Sequence, residues 1–298
     1  MSQSLRGLLL ATAALLLLDH AAWGAIAIDA NISKDQATAS TSISSPAFST
    51  ASGGELLLAF ISTDYLTGNN TTVQSISGAG LTWALVVRTN AQSGSSEIWR
   101  AFASTTLSGV SITATLSQKV VSSMTVMSFT GTDPSGTNGS GAIGAIASGS
   151  AATGAPTATL HTTRDNSWVF GVGNDFDNGI ARTLGAGQSL VHQYLSSLGD
   201  TYWVQMQASP TSLSGSTVTI NDTAPTTDRF NLSICEILPY SSAGGTNPLP
   251  PTVTMNSPAP GVIFGLATVS ASVSDNVAIL GVQFLLDGGP LGAQVPAA

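Results

Sequence analysis

Short apolar runs separated by turn-forming residues make up most of the chain after its first 25 residues. The runs at 55–61, 82–87 and 124–129 each have the length of an ordinary β-strand, and Gly, Asn, Ser and Pro separate such runs from one another. No segment keeps a 3.6-residue apolar period between helix-capping residues, so the pattern gives no indication of helices. The pattern therefore predicts an all-β fold.

The strand pattern repeats once, with an offset of about 105 residues. Several landmarks recur in the same order, and Trp99 and Trp203, for example, occupy the same place in corresponding strands. We infer two copies of one unit, at residues 26–133 and 142–239, each about the size of a small β-sandwich. The predicted fold is thus a pair of tandem β-sandwich or jelly-roll-like units. The sequence leaves open whether the copies are two sandwiches side by side or two halves of a larger one.

The N-terminal residues have the composition of a secretory signal. Arg6 provides a positive charge, residues 8–18 form an apolar segment too short to span a bilayer, and residues 22–24 contain small side chains typical of a cleavage site. A buried core helix is the alternative interpretation, although the segment has no polar face. We expect residues 1–24 to be removed on export, and the mature protein to be extracellular or at the cell surface. No later segment reaches membrane-spanning length, so we expect no integral membrane association.

The low charge of the chain narrows the classes of function. Only 8% of the residues are charged and the net charge is −8, so the chain lacks the basic surface that nucleic-acid binding requires. Ser, Thr, Asn and Gly replace the missing charges, which favours a β-rich extracellular protein with a polar, uncharged surface. Cys235 is the single cysteine, so no intramolecular disulfide can form. Its apolar neighbours indicate a buried thiol rather than a nucleophile.

A change of composition separates the duplicated unit from the C-terminal region. Residues 240–250 have the Gly/Ser-then-Pro composition of an inter-domain linker. Beyond it, Ser-Asp-Asn-Val at 274–277, followed by Gly-Val-x-Phe-x-x-Asp-Gly at 281–288, resembles the bacterial immunoglobulin-like repeat of multidomain secreted and cell-surface proteins. The resemblance implies a partial immunoglobulin-like sandwich at 251–298, because a full module needs about 100 residues. We therefore expect a longer natural chain or a truncated gene product. The duplicated unit itself resembles an uncharacterised β module that precedes such repeats, a resemblance that implies no activity.

Motifs for catalysis are missing from the sequence. His161 and His192 are the histidines outside the predicted signal, and both fall in or beside strands, where a half-exposed structural role is expected. No nucleophile elbow or zinc-protease motif occurs, and most aspartates lie in turn sequences rather than in a recognisable glycosidase pair. We therefore predict a protein that is not an enzyme.

Two features are candidate binding sites. The loop at 174–179 places Asp175 and Asp177 at alternate positions before a glycine, as calcium loops do, although ordinary turn chemistry explains the same sequence. Calcium is the one cofactor that the sequence suggests. Trp99 and Trp203 have polar neighbours in their strands, so each indole could stand on a sheet surface and stack on a sugar ring. The alternative is that both pack in a core, as large aromatic side chains generally do.

These observations favour a secreted or cell-surface, non-enzymatic protein for binding, adhesion or spacing. An extracellular polysaccharide or a cell-wall component is the expected partner. The alternative is the ancillary N-terminal region of a larger secreted hydrolase, whose catalytic domain would follow Ala298. Sequence downstream of that residue would distinguish the two.

Overall fold

The computed structural model describes residues 25–240 and short segments of the C-terminal region. Those segments are 252–258, 267–274, 281–286, 289–293 and 295–296. Regular structure in the described residues is β-strand, apart from a 3₁₀ turn at Ser140–Ala142, and this confirms the all-β prediction. The predicted signal peptide at 1–24 and, apart from Tyr240, the predicted linker lie outside the described residues.

The first copy contains six strands in two layers. They are β1 (Ala27–Ser44), β2 (Glu55–Thr63), β3 (Val73–Gly78), β4 (Ala84–Thr89), β5 (Ser95–Ala103) and β6 (Ile112–Thr130). Five form an antiparallel sheet in the order β1-β6-β2-β5-β4. The long strand β6 also begins in the second layer, where its residues 112–116 pair with β3 and residues 113–115 pair with residues 42–44 of β1. A hydrophobic core fills the space between the layers.

The second copy repeats this arrangement with shorter strands. They are β7 (Ile143–Ala151), β8 (Thr157–His161), β9 (Trp168–Asp175), β10 (Thr183–Leu184), β11 (Gln188–Leu195), β12 (Thr201–Gln207), β13 (Thr217–Ala224) and β14 (Phe230–Ile237). One sheet has the order β7-β14-β9-β12-β11, and the other has the order β10-β13-β8. This is the topology of copy one, with β1 divided into β7 and β8, and β6 divided into β13 and β14. The matching sheets confirm the predicted tandem sandwich units.

The five-stranded sheets of the two copies pack against each other, and residues Ala25–Tyr240 form one compact unit. Side chains alternate along β2, so Leu57 and Ile61 face the core of copy one, whereas Leu58 and Phe60 face a second core shared with copy two. Because both faces of β2 are covered, all nine of its residues are buried, which explains its continuous apolar run. A third core lies inside copy two. The copies are therefore two sandwiches that share a buried face.

Buried hydrogen bonds extend the shared face beyond its apolar core. The hydroxyl groups of Thr89 and Ser233 lie 2.7 Å apart across it. The side chain of Asn231 accepts the N–H of Gln92 (3.0 Å) and donates to its carbonyl oxygen (3.1 Å). Such paired polar groups fix the position of one copy against the other, because a shift would leave them buried without partners.

The described C-terminal segments form short antiparallel pairs in a unit separate from residues 25–240. The pairs are β15 (Thr252–Ser257) with β16 (Ser270–Ser274), β17 (Gly281–Val282) with β20 (Val295–Pro296), and β18 (Leu285–Leu286) with β19 (Gly289–Pro290). All six strands fall within the region where the sequence predicts the immunoglobulin-like sandwich.

Candidate functional site at the distal loop end

Both tryptophans suggested as sugar-stacking residues lie inside the protein. Trp99 is 9% exposed in the core of copy one, and Trp203 is 1% exposed in the core of copy two. This placement corrects the expectation of an exposed stacking surface, because a buried indole has no free face for a sugar ring. The expectation assumed that β5 and β12 are covered on one face only. In fact both faces of each sheet are covered, and even Gln205 on the polar face of β12 is fully buried.

In copy one, the indole belongs to a buried ion-pair cluster. The N–H of the Trp99 indole donates to the carboxylate of Glu97 (2.8 Å), and the guanidinium of Arg88 pairs with the same carboxylate (2.8 Å). The backbone N–H of Val73 donates to it as well (2.8 Å). Glu97 is fully buried, and these donors compensate for the solvation that its charge loses. The cluster therefore has a structural role.

Copy two builds a similar cluster from different positions. The guanidinium of Arg182 lies 4.9 Å from the centre of the Trp203 ring and pairs with the buried carboxylate of Asp175. Thr201 stands two residues before this tryptophan, where Glu97 stands in copy one. Asp175 supplies the carboxylate from the neighbouring strand β9, directly opposite Thr201. The two copies thus retain the combination of indole, arginine and acid, although the acid has moved to another strand.

The two suggested calcium ligands are engaged by arginines. Asp175 pairs with Arg182 and also accepts the N–H of Asp177 (2.7 Å). Asp177 pairs with Arg229 (2.7 Å). A guanidinium on each carboxylate supplies the positive charge that calcium would bring and repels a further cation. These ion pairs favour the alternative interpretation, in which the loop is an ordinary turn. In the described part of the chain, no group of three or more His, Cys, Asp or Glu residues is placed to hold a metal ion.

The histidines and the cysteine have structural surroundings. Nε2 of His192 lies 2.9 Å from Oδ1 of Asp35, which makes this pair a contact between the two copies. His161 is exposed on β8, where its Nδ1 lies 3.2 Å from the hydroxyl group of Thr217. Cys235 is fully buried, and burial raises the pKa of its thiol. A protonated, inaccessible thiol is not a nucleophile.

The chain enters and leaves the compact unit at one end, which we call the proximal end. The backbone N–H of Tyr240, the last residue of the unit, donates to the carbonyl oxygen of Gly131 (2.8 Å). Ala25, the first residue, lies so close to Gly131 that a Cβ atom there would overlap its carbonyl group. The φ angle of Gly131 is +69°, so both backbone conformation and space require glycine. The preceding and following segments therefore attach at a single place.

The opposite end, which we call the distal end, brings together loops of both copies. The strands β2 and β9 run toward it next to each other, and the side-chain amide of Asn174 donates to the carbonyl oxygen of Thr63 (3.1 Å). Just beyond the strands, the rings of Tyr65 and Phe176 meet edge to face with centroids 6.1 Å apart. The loops at this end are 64–72 and 90–94 from copy one, and 176–182, 196–200 and 225–229 from copy two.

Large aliphatic side chains are exposed at the distal end. Leu66 of copy one is 63% exposed, and Leu198 of copy two is 65% exposed. Ile180 and Leu195 of copy two add two more, at 49% and 43%. These are four of the eight large hydrophobic side chains exposed within residues 25–240. Apolar side chains exposed at one end of a domain, mostly on its loops, mark a candidate interaction surface.

Sequence reasoning missed this end of the molecule, because it forms only when the two copies pack. The sequence feature that could have indicated this surface is an apolar residue within a turn sequence. Leu66 precedes Thr67 and Gly68, and Leu198 lies between Ser197 and Gly199. A leucine in such a position has no strand face to bury it, which is the local reason for its exposure.

A buried carboxyl group lies beneath the distal loops. Asp200 is 2% exposed, and its carboxyl group accepts a hydrogen bond from the hydroxyl group of Tyr202 (3.0 Å). Burial, together with the nearby charge of Asp64 in copy one, raises the pKa of Asp200 to about 7. Burial also raises the pKa of Asp64. The charge at this junction of the two copies therefore changes near neutral pH.

Comparison with known protein families finds a match in the C-terminal region. Residues 251–297 match the family model of a bacterial Ig domain, in agreement with the resemblance found in the sequence. No curated protein and no solved structure matches the chain. Bacterial Ig domains are commonly extracellular, so the match indicates a surface or spacer-type β protein. In the described part of the chain, no helix has the length and hydropathy needed to cross a membrane.

Proposed function

We propose that residues 25–240 are a non-catalytic binding or adhesion module of a secreted or cell-surface protein, with the binding surface at the distal end. The position of the chain connections carries this proposal. Both Ala25 and Tyr240 lie at the proximal end, beside Gly131. The distal loops therefore point away from the place of attachment, where they can meet a partner.

This arrangement favours binding over a spacer role. A spacer gains length when the chain enters a domain at one end and leaves it at the other. A chain that continued past both Ala25 and Tyr240 would gain almost no reach from the two sandwiches, because these two residues lie at one place. Loops held on a rigid β scaffold are also the usual position of binding residues.

An extracellular polysaccharide or another cell-wall component is the partner that we propose. The signal predicted at 1–24 and the match to a bacterial Ig domain support an extracellular setting. The burial of Trp99 and Trp203 removes indole stacking as the mode of recognition. We instead assign the contacts to Leu66, Leu198 and the polar groups of the same loops.

Binding of the full chain to isolated bacterial cell walls tests this function. The double variant Leu66→Ser/Leu198→Ser removes two exposed leucines from the distal end. Leu213→Ser is the matched control, since Leu213 is 64% exposed in the loop that precedes the proximal end of β13. Burial of two leucines in a complex corresponds to an affinity loss of about tenfold or more for the double variant. The control should bind like the wild type.

Treated cell walls identify the class of partner. Walls treated with protease should retain binding if the partner is polysaccharide, and walls treated with glycan hydrolases should lose it. The opposite pattern would assign a protein partner. Absence of binding to any wall preparation would contradict the binding function, and equal losses in the double variant and Leu213→Ser would contradict the distal location.

A further inference from the structure

Asp200 attaches the turn that carries Leu198 to the sheet. The N–H of Ser196 donates to the carbonyl oxygen of Asp200 (2.8 Å), which closes the turn. The N–H of Leu198 donates to the hydroxyl group of Ser196 (3.1 Å). Strand β12 begins directly after Asp200, at Thr201. The position of Asp200 therefore determines where the exposed leucine stands.

The carboxyl group of Asp200 is surrounded mainly by acids. The titratable and charged groups of the neighbouring elements are Asp64 of copy one, Asp175 paired with Arg182, Asp177 paired with Arg229, Tyr194, Tyr202, and His192 paired with Asp35. Each arginine among them is held by another carboxylate. Among the described residues, the hydroxyl group of Tyr202 is the one hydrogen-bond donor to the carboxyl group of Asp200.

The ionised form of Asp200 is poorly accommodated in this environment. A buried carboxylate normally needs several donors or a cation to replace its hydration, and Asp200 has one neutral donor. Ionised Asp64 adds repulsion across the junction. The protonated form avoids both costs. Burial raises the pKa of Tyr202 as well, so its hydroxyl group remains a donor in either case.

We propose that Asp200 is a proton-dependent latch for the turn 196–200. In its protonated form it keeps this turn closed against the start of β12. In its ionised form, hydration and repulsion from Asp64 of copy one release the turn, and Leu198 moves with it. Since Leu198 belongs to the proposed binding surface, the inference rests on the proposed function for its consequence: binding weakens as the pH rises from 6 to 8.

The expected size of the effect follows from proton linkage. The pKa of Asp200 is about 7 in the closed turn, and its ordinary value of 3.8 applies when the turn is open and hydrated. Between pH 6 and pH 8, opening then becomes about tenfold more favourable. The proton is bound in the closed form below pH 7 and lost above it, so the turn is closed on the acid side.

Hydrogen–deuterium exchange of the full chain at pH 6 and pH 8 measures this opening without any partner. After correction for the intrinsic exchange rate, protection of residues 196–200 should fall about tenfold between the two pH values. The loop 208–216 at the other end of β12 serves as the internal control, and its protection should not change. Equal protection of residues 196–200 at both pH values would overturn the latch.

Two variants test whether the pH-dependent loss of protection comes from Asp200 and Asp64. Asp200→Asn keeps the shape of the protonated acid, so its turn should stay protected at both pH values. Asp64→Asn removes the like charge and should reduce the wild-type difference. Asp29→Asn, a change at an exposed carboxylate on β1, is the matched control and should behave like the wild type. A tenfold change that persists in Asp200→Asn would refute the role of Asp200.

A direct titration covers the case in which Asp200→Asn does not fold. Carboxyl-carbon NMR of the wild-type protein should give a midpoint near pH 7 for Asp200, and a midpoint near pH 4 would overturn the latch. Because exchange and titration need no partner, the latch can be confirmed while the cell-wall experiment fails. Cell-wall binding that does not depend on pH, together with equal protection of residues 196–200 at both pH values, would leave the proposed function intact and refute the latch.

Discussion

The substitution Asp222→Asn is expected to stabilise the protein at pH 8 by at most about 4 kcal/mol and to have little effect near pH 4. Asp222 lies on β13, is 1% exposed and faces the inside of copy two. Neither of its carboxyl oxygens has a well-formed hydrogen bond, although the amide of Gln205 lies beside it. Burial raises the pKa of Asp222 to about 7, while the charge of Arg182 acts in the opposite direction.

The magnitude follows from the difference between the folded and unfolded states. The pKa of Asp222 is about 7 in the folded protein, against an ordinary value of 3.8 in the unfolded chain. The difference of about three pKa units corresponds to about 4 kcal/mol. Since the folded pKa is the raised one, the folded protein retains a proton that the unfolded chain has released between pH 4 and pH 7. Stability from this group is therefore present at acid pH and lost as the pH rises through 7.

Chemical denaturation of the full chain at pH 4, 6 and 8 measures the effect. The fluorescence of the buried tryptophans, among them Trp203 in the core of copy two, reports unfolding of the compact unit. Asparagine has the shape of the neutral acid but cannot ionise, so the stability advantage of Asp222→Asn should grow steadily with pH. Asp29→Asn, at an exposed carboxylate, should show no such trend. A difference between Asp222→Asn and the wild type that does not depend on pH would refute the reasoning, as would a less stable variant at pH 8.

Two further predictions concern packing. Gly173 faces the Trp203 ring so closely that a Cβ atom would overlap it, so Gly173→Ala should lower the free energy of unfolding by about 1–3 kcal/mol; an unchanged melting temperature would contradict this contact. Cys235 is fully buried, so it should react with a thiol reagent only after denaturation, and rapid labelling of the folded protein would show that the shared face opens.

The class of fold and its duplication could be predicted because both depend on local patterns. Strand length, turn residues and the recurrence of Trp99 as Trp203 are all visible along the chain. The layering could not be predicted in the same way. The unbroken apolar run of β2 indicates a strand that is buried on both faces. The sequence does not show which other sheet packs against each face.

The burial of Trp203 and the ion pair of Asp175 have a common physical cause. Alternation along β12 separates an apolar face from a polar one, and the polar face was expected to meet water. In the folded protein that face meets the second sheet of copy two, and Trp203 is buried there beside the guanidinium of Arg182. Whether the acidic loop can bind a cation depends on whether a basic residue such as Arg182 already pairs with its carboxylates. The spacing of residues in a single sequence does not reveal such a pair.

The meeting of both chain connections at Gly131 has a mechanical consequence. A pull applied between Ala25 and Tyr240 acts on the unit at one place, so it does not run through the shared core. Such a pull breaks the hydrogen bonds at the start of β1 and in the segment after β14 one after another. It does not load all the hydrogen bonds of a strand at the same time. The far loops thus keep their shape under tension until the attachment point itself gives way.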